Sequence, residues 1–218
     1  MIKYLIIGFF ALSVFSLVSY FFALNTLYNK ENKKLIRVMN VFPFEVVPPL
    51  KGERNSINIL LFVSLGSVFV SLILFTVRFF GVIPLVVSIF SLLLLFCLGA
   101  ICFINLSYLK EHLYLSIGVL VSDLTIAALL AILSFKILQV YDYKSIPAIF
   151  SLVISGILLI KSLFFVFNPK IFNLNLSRDK DDNLIRPNFI PLAALEWVSL
   201  LSSPLYLIPI ILLSTILR

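Results

Sequence analysis

Residues able to hold a metal or start a reaction are scarce in this chain. It has one histidine, His112, and two cysteines, Cys97 and Cys102, among 218 residues. A single histidine excludes a haem held by paired histidines within the chain, and it leaves a serine or cysteine nucleophile without an evident imidazole base. His112 sits in the short polar stretch YLKEHLY and reads as a residue capping a helix end. The cysteines lie five apart in one hydrophobic run. A helix turns such positions to different faces, so the thiols can neither pair with each other nor build a metal site unaided. Glycine is sparse as well, and no phosphate-cradling glycine loop, no H-E-x-x-H and no CDP-alcohol transferase pattern occurs. The ISG at 154–156 lacks the first glycine of the rhomboid-type G-x-S-G, and the YD at 141–142 has no presenilin-type G-x-G-D partner. No catalytic residue, metal or cofactor is assigned, and the reading leans away from an enzyme.

Charge is the other scarcity. Charged side chains make up 12% of the residues against 61% apolar, and the mean hydropathy is +1.15. That balance excludes an ordinary soluble domain and places the chain in a bilayer. The net charge of +7 would in a soluble protein suggest nucleic acid. In a membrane protein it is explained by positive residues retained on the cytoplasmic side, so no nucleic-acid partner is expected.

About 20 apolar residues cross the hydrocarbon core as a helix. Uncharged runs of that length cover about residues 4–25, 57–78, 82–107, 114–136, 146–167 and 191–217. The expectation is an all-α, polytopic bundle of six transmembrane helices forming a single membrane domain over 1–218. The second and third helices are separated at Arg78, Phe79, Phe80, Gly81 and Pro84, because residues 56–106 are too many for one crossing. The first run is too long for a signal-peptide core and no small-x-small cleavage site follows it, so it reads as a helix that stays. Lys30, Lys33, Lys34, Arg37, Lys51, Arg54, Lys110, Lys170, Arg178, Lys180 and Arg186 fall on one side of the predicted bundle; Lys3, Arg78, Lys136, Lys144 and Arg218 fall on the other. The first set marks the cytoplasmic face and predicts that both termini face outward.

The loop after the first helix reads NKENKKLIRVMNVF. On a helix over about 30–42, Lys30, Lys33, Lys34 and Arg37 share one face while Leu35, Val38, Met39 and Phe42 repeat the same spacing on another. This predicts a basic amphipathic helix lying on anionic headgroups, or docking another membrane subunit, and ending at Pro43 and the pair Pro48, Pro49. The second cytoplasmic loop carries Asp179, Asp181 and Asp182 without the glycine and final glutamate of a calcium loop, and reads as a solvated turn.

Asp123 stands in VLVSDLTIAALLAILSF, about 15 Å from the inner end of the fourth helix, too deep for a short side chain to reach water. Lys161 and Glu196 lie about 10 Å and about 8 Å from the same membrane face on the fifth and sixth helices. An Asp123, Lys161, Glu196 cluster of net charge minus one is geometrically open, with room for a proton or cation. Glu196, Ser199, Ser203 and Tyr206 form a polar stripe on the sixth helix. Such a stripe faces protein or water in preference to lipid. Ser64, Ser67 and Ser71, and Ala148, Ser151, Ser155 and Ser162, read as small-residue packing faces, and Pro204 and Pro209 as a kink.

The functional reading is a non-enzymatic subunit of a larger membrane complex. The alternative is a small transporter or channel with a proton- or cation-sensitive path through helices four to six. Lysine in excess of arginine and abundant Phe, Ile and Leu suggest an AT-rich genome and a bacterial plasma membrane.

Overall fold

The computed structural model describes residues 2–32, 35–38, 41–46, 55–79, 81–104, 109–141, 143–168, 170–171, 177–178, 184–185 and 189–216. The helices, in chain order, are α1 (Ile2–Asn32), α2 (Pro43–Val46), α3 (Asn55–Arg78), α4 (Val82–Ile101), α5 (Leu109–Val140), α6 (Ile146–Val166), α7 (Pro191–Ser202) and α8 (Leu207–Ile216). A 3₁₀ turn, Ser203–Tyr206, joins α7 to α8, and two-residue strands, β1 (Ser177–Arg178) and β2 (Leu184–Ile185), pair antiparallel. Six helical stretches are long and apolar enough to cross a membrane: α1, α3, α4, α5, α6 and the α7–α8 unit. The chain is thus a multi-pass, helical membrane protein.

Local chemistry sets most of the boundaries. Pro147 and Pro191 stand in the first turns of α6 and α7, where a missing N–H costs no intrahelical bond. Gly81 with Pro84 separates α3 from α4 at the expected hairpin. Helices α1 and α5 outrun the predicted spans at both ends and, at 31 and 32 residues, are about 47 Å long. They exceed the hydrocarbon core, so their ends reach the interface or the helices tilt.

Sequential helices pack as antiparallel neighbours: α1 lies on α3, α4 on α5 and α5 on α6, while α8 closes against α6. Small residues set the close approaches. Ser13 and Ser64 donate to each other's backbone carbonyls at 3.1 and 3.0 Å, joining α1 to α3. A β-carbon on Gly118 of α5 would stand 2.7 Å from Cys97 Sγ of α4, so the absence of a side chain there lets the two helices meet. Both cysteines are buried and free. Ser64, Ser67, Ser71, Ala148, Ser151, Ser155 and Ser162 are all buried between helices.

The predicted amphipathic helix over 30–42 is not formed. Helix α1 runs to Asn32, whereas residues 35–37 are irregular and Val38 is in a turn; Lys33 and Lys34 lie outside the described residues. Side chains of the bundle replace the helical bonds. Asn25 Oδ1 accepts the Ile36 N–H at 3.0 Å, and the Trp197 indole donates to the Val41 carbonyl at 2.7 Å. The apolar positions accordingly turn inward: Ile36, Val38 and Val41 pack on the main core and Phe42 is buried in a second cluster with Leu192, Ala193 and Leu195. Lys30 and Arg37 remain exposed. Pro43, expected to stop a helix, instead begins α2. The carboxylate of Glu45 accepts the Phe42 N–H at 2.8 Å, which is half of a capping box.

Candidate intramembrane ionisable site

Helix α5 supplies the spine of the site. His112, Ser116, Asp123 and Ser134 are all buried and, at 100° per residue, fall within about 40° of one another round the helix. That face meets α6 and the α7–α8 unit, which bring Lys161, Glu196, Ser199, Ser202 and Tyr206 against it. Helix α5 and α7 run parallel, so the pairs form successive layers.

At the loop end, His112 Nε2 lies 2.8 Å from Glu196 Oε1, and both side chains are wholly buried. Ser116 donates to the same oxygen at 3.0 Å. His112 Nδ1 lies 2.9 Å from the Ile104 carbonyl. A carbonyl can only accept, so Nδ1 carries a proton and the Nε2–Oε1 bond holds one more. Whether that proton rests on nitrogen or oxygen, the pair as a whole is neutral. Glu196 Oε2 has no hydrogen-bond partner among the described residues.

About 16 Å further along α5, Asp123 is surrounded by donors. Lys161 Nζ stands 2.8 Å from Oδ2, Ser199 donates to the same oxygen, and Tyr206 donates to Oδ1 at 2.7 Å. Lysine, serine and tyrosine all donate here, which is the environment of an ionised carboxylate. Lys161 spends its other protons on Ser202 Oγ at 3.0 Å and Tyr206 Oη at 3.4 Å, and its ammonium lies 5.3 Å from the Tyr206 ring. The lysine side chain is 13% exposed and the aspartate 0%. Beyond this layer, Ser134 and Ser151 share a hydrogen bond of 2.7 Å, and Ser151 donates to the Pro209 carbonyl at 3.4 Å.

The structure therefore joins Asp123 to Lys161, and it takes Glu196 out of their cluster to pair with His112. The net charge of minus one expected for the three residues becomes zero once His112 is counted. His112 is not a cap in a turn: α5 begins at Leu109, and the imidazole sits inside its first turn, buried. Ser199 and Tyr206 reach Asp123, whereas Ser203 donates to the Leu200 carbonyl at the end of α7 at 2.9 Å. The sequence reading passed over Ser116 and Ser202 as site members, and over His112 as the partner of Glu196. The 112, 116, 123 spacing on one face was the available signal. Among the described residues no three His, Cys, Asp or Glu side chains are disposed to hold a metal ion.

Compared with known protein families, with characterised proteins and with solved structures, the chain matches none.

Proposed function

We propose that the protein is a small transporter that moves protons, alone or coupled to another cation, along the polar face shared by α5, α6 and the α7–α8 unit. The observation that carries this reading is the Asp123–Lys161 pair, 2.8 Å apart within the bundle, its aspartate wholly buried and its lysine 13% exposed. Ionisable groups in a membrane interior are expensive, and they mark ion and proton pathways. The reading is supported by the second acid–base pair on the same face, His112–Glu196, whose single bridging proton gives the path a group that can load and unload. In this reading Asp123 releases Lys161 as it takes up a proton, since the neutral acid no longer holds the ammonium. The orientation that fits the lysine and arginine distribution puts both termini outside a bacterial plasma membrane, with residues 41–46 and the His112–Glu196 pair at the cytoplasmic end.

The test is collapse of an imposed pH gradient in vesicles holding the purified protein, read by an internal dye with Na⁺ or K⁺ present. Wild type should outpace empty vesicles, and Asp123→Asn should lose on the order of 10²-fold in rate while keeping its helical content. Flux equal to that of empty vesicles overturns the reading, and undiminished flux in D123N removes Asp123 from it.

The closure of the Asp123 layer, where each carboxylate oxygen is engaged, supports a second reading as a non-enzymatic subunit of a membrane complex. There the pairs would lock the helices in register. Recovery of stoichiometric partner chains after mild extraction, with no proton flux from the isolated chain, is its expected result.

A further inference from the structure

The α3–α4 hairpin is joined differently in its two halves. At the hairpin end hydroxyl groups tie the helices together: Thr76 Oγ1 lies 3.3 Å from the Pro84 carbonyl oxygen and meets the Ser88 hydroxyl, and Ser88 Oγ lies 3.3 Å from the Leu72 carbonyl oxygen. Toward the loop end the same antiparallel register sets Gly66 of α3 opposite Gly99 and Ala100 of α4, and the small residues leave an open groove of about 520 Å³. Leu65 and Leu95, both buried, form its floor. Phe62, Phe69, Phe96 and Phe103 form its walls, and the rings of Phe62 and Phe103 stack at the loop end with centroids 6.0 Å apart.

Hydrocarbon is the occupant that this lining accepts. Every side chain facing the groove is apolar, whereas an ordered water needs about two to four polar partners. The volume lies within the range of ligand pockets, about 300–1,000 Å³. Length then separates a lipid tail from a partner helix. Helix α4 lines the groove from Leu92 to Phe103, about 16 Å of helix. One leaflet of the hydrocarbon core is about 15 Å deep, and a crossing helix needs about twice that. A single tail therefore fits, while a transmembrane helix would run on against the half of the hairpin that is already closed. Tails are as apolar as the walls, so burial alone gives no preference over bulk lipid, and retention depends on fit and on the headgroup. The exposed charged residues described at the loop end are Lys30, Arg37, Lys110 and Lys170 against Glu111, a balance that attracts an anionic headgroup.

We propose that the groove between α3 and α4 is a binding site for one acyl chain of an anionic phospholipid drawn from the leaflet at the loop end. The bound chain supplies the packing that Gly66, Gly99 and Ala100 leave out. Cys97, which meets Gly118 of α5, stands about 160° round α4 from Leu95 and Gly99, so the site is separate from the polar face and independent of the proton-handling reading.

The test uses phosphatidylglycerol with a diazirine in mid-chain, photolysed with the protein in phosphatidylcholine vesicles, and adducts located by peptide mass spectrometry. Labelling at residues 62–69 and 92–103 should exceed that at the comparably exposed Phe15 and Phe164 severalfold. The excess should shrink severalfold when phosphatidylcholine carries the same diazirine. An added β-carbon at Gly66 or Gly99 meets nothing within 4 Å, so Gly66→Leu combined with Gly99→Leu should fill the groove, keep the helical content and abolish the excess while Phe15 stays labelled. Labelling in the groove no higher than at Phe15 and Phe164, or an excess that survives the double variant, overturns the site. An equal excess from both lipids overturns the anionic preference. A groove free of adducts in which Phe96→Cys joins two chains by a disulfide would place a second copy there and overturn the lipid.

Discussion

A carboxylate in the middle of a bilayer holds its charge only if the protein replaces the water it gave up. Asp123 does so with three side-chain donors from two other helical segments. Removing one partner of such a pair is far more costly than removing both, because a lone buried charge remains. Asp123→Asn should therefore lower stability by about 3 kcal/mol, as should Lys161→Met. The double variant should lose clearly less than the sum, a coupling that unfolding in mixed micelles would measure. Additive losses would mean that Lys161 reaches the headgroups on its own when Asp123 is absent. Tyr206→Phe, which deletes the hydroxyl that donates to Asp123 and accepts from Lys161 but leaves the ion pair, should cost about 2 kcal/mol.

Element packing is decided where backbones come closest. At the α4–α5 contact a β-carbon on Gly118 would sit at 2.7 Å from Cys97 Sγ, inside any normal contact distance. Cys97 has a single rotatable side-chain bond and is 3% exposed, so the thiol has little room to move away. Gly118→Ala should destabilise by about 1–3 kcal/mol, the usual cost of overpacking, and Cys97→Ala in the same chain should restore most of it. Thermal unfolding of the two variants in one detergent decides this. A neutral G118A would show that α4 and α5 can separate without loss. The α7–α8 unit illustrates a different control. Pro204 stands in the 3₁₀ turn, which interrupts the helix between the residues that reach Asp123, Ser199 before it and Tyr206 within it. The prolines made a break legible in the sequence; that the break presents Tyr206 to α5 was not.

On the scale of the whole molecule, each span begins and ends near residues that favour the interface, and the lysines and arginines cluster in two loops at one end. The proposed orientation, with both termini outside, predicts that an epitope on either terminus is reached by antibody on intact cells, and a tag inserted between residues 172 and 176 only after the membrane is opened. The reverse pattern would invert the bundle and place residues 41–46 at the outer face.

The six spans were written into the sequence because hydrophobic transfer adds along the chain: each run of about 20 apolar residues crosses wherever its neighbours sit. The depth of Asp123, and so its need for a partner, followed from the same counting. Partner choice did not. Asp123, Lys161, Glu196 and His112 are separated by up to 84 residues in sequence, and the rotation and register of α5, α6 and α7 decide which of them touch. His112 looked like a polar turn residue because its own neighbours are polar, and only Glu196 from a distant helix makes it a buried base. The segment after α1 carries a helical apolar period, yet its backbone groups found side-chain partners on Asn25 and Trp197 and its apolar residues found a protein core in place of lipid. Periodicity states which residues must be buried; the tertiary structure alone says against what.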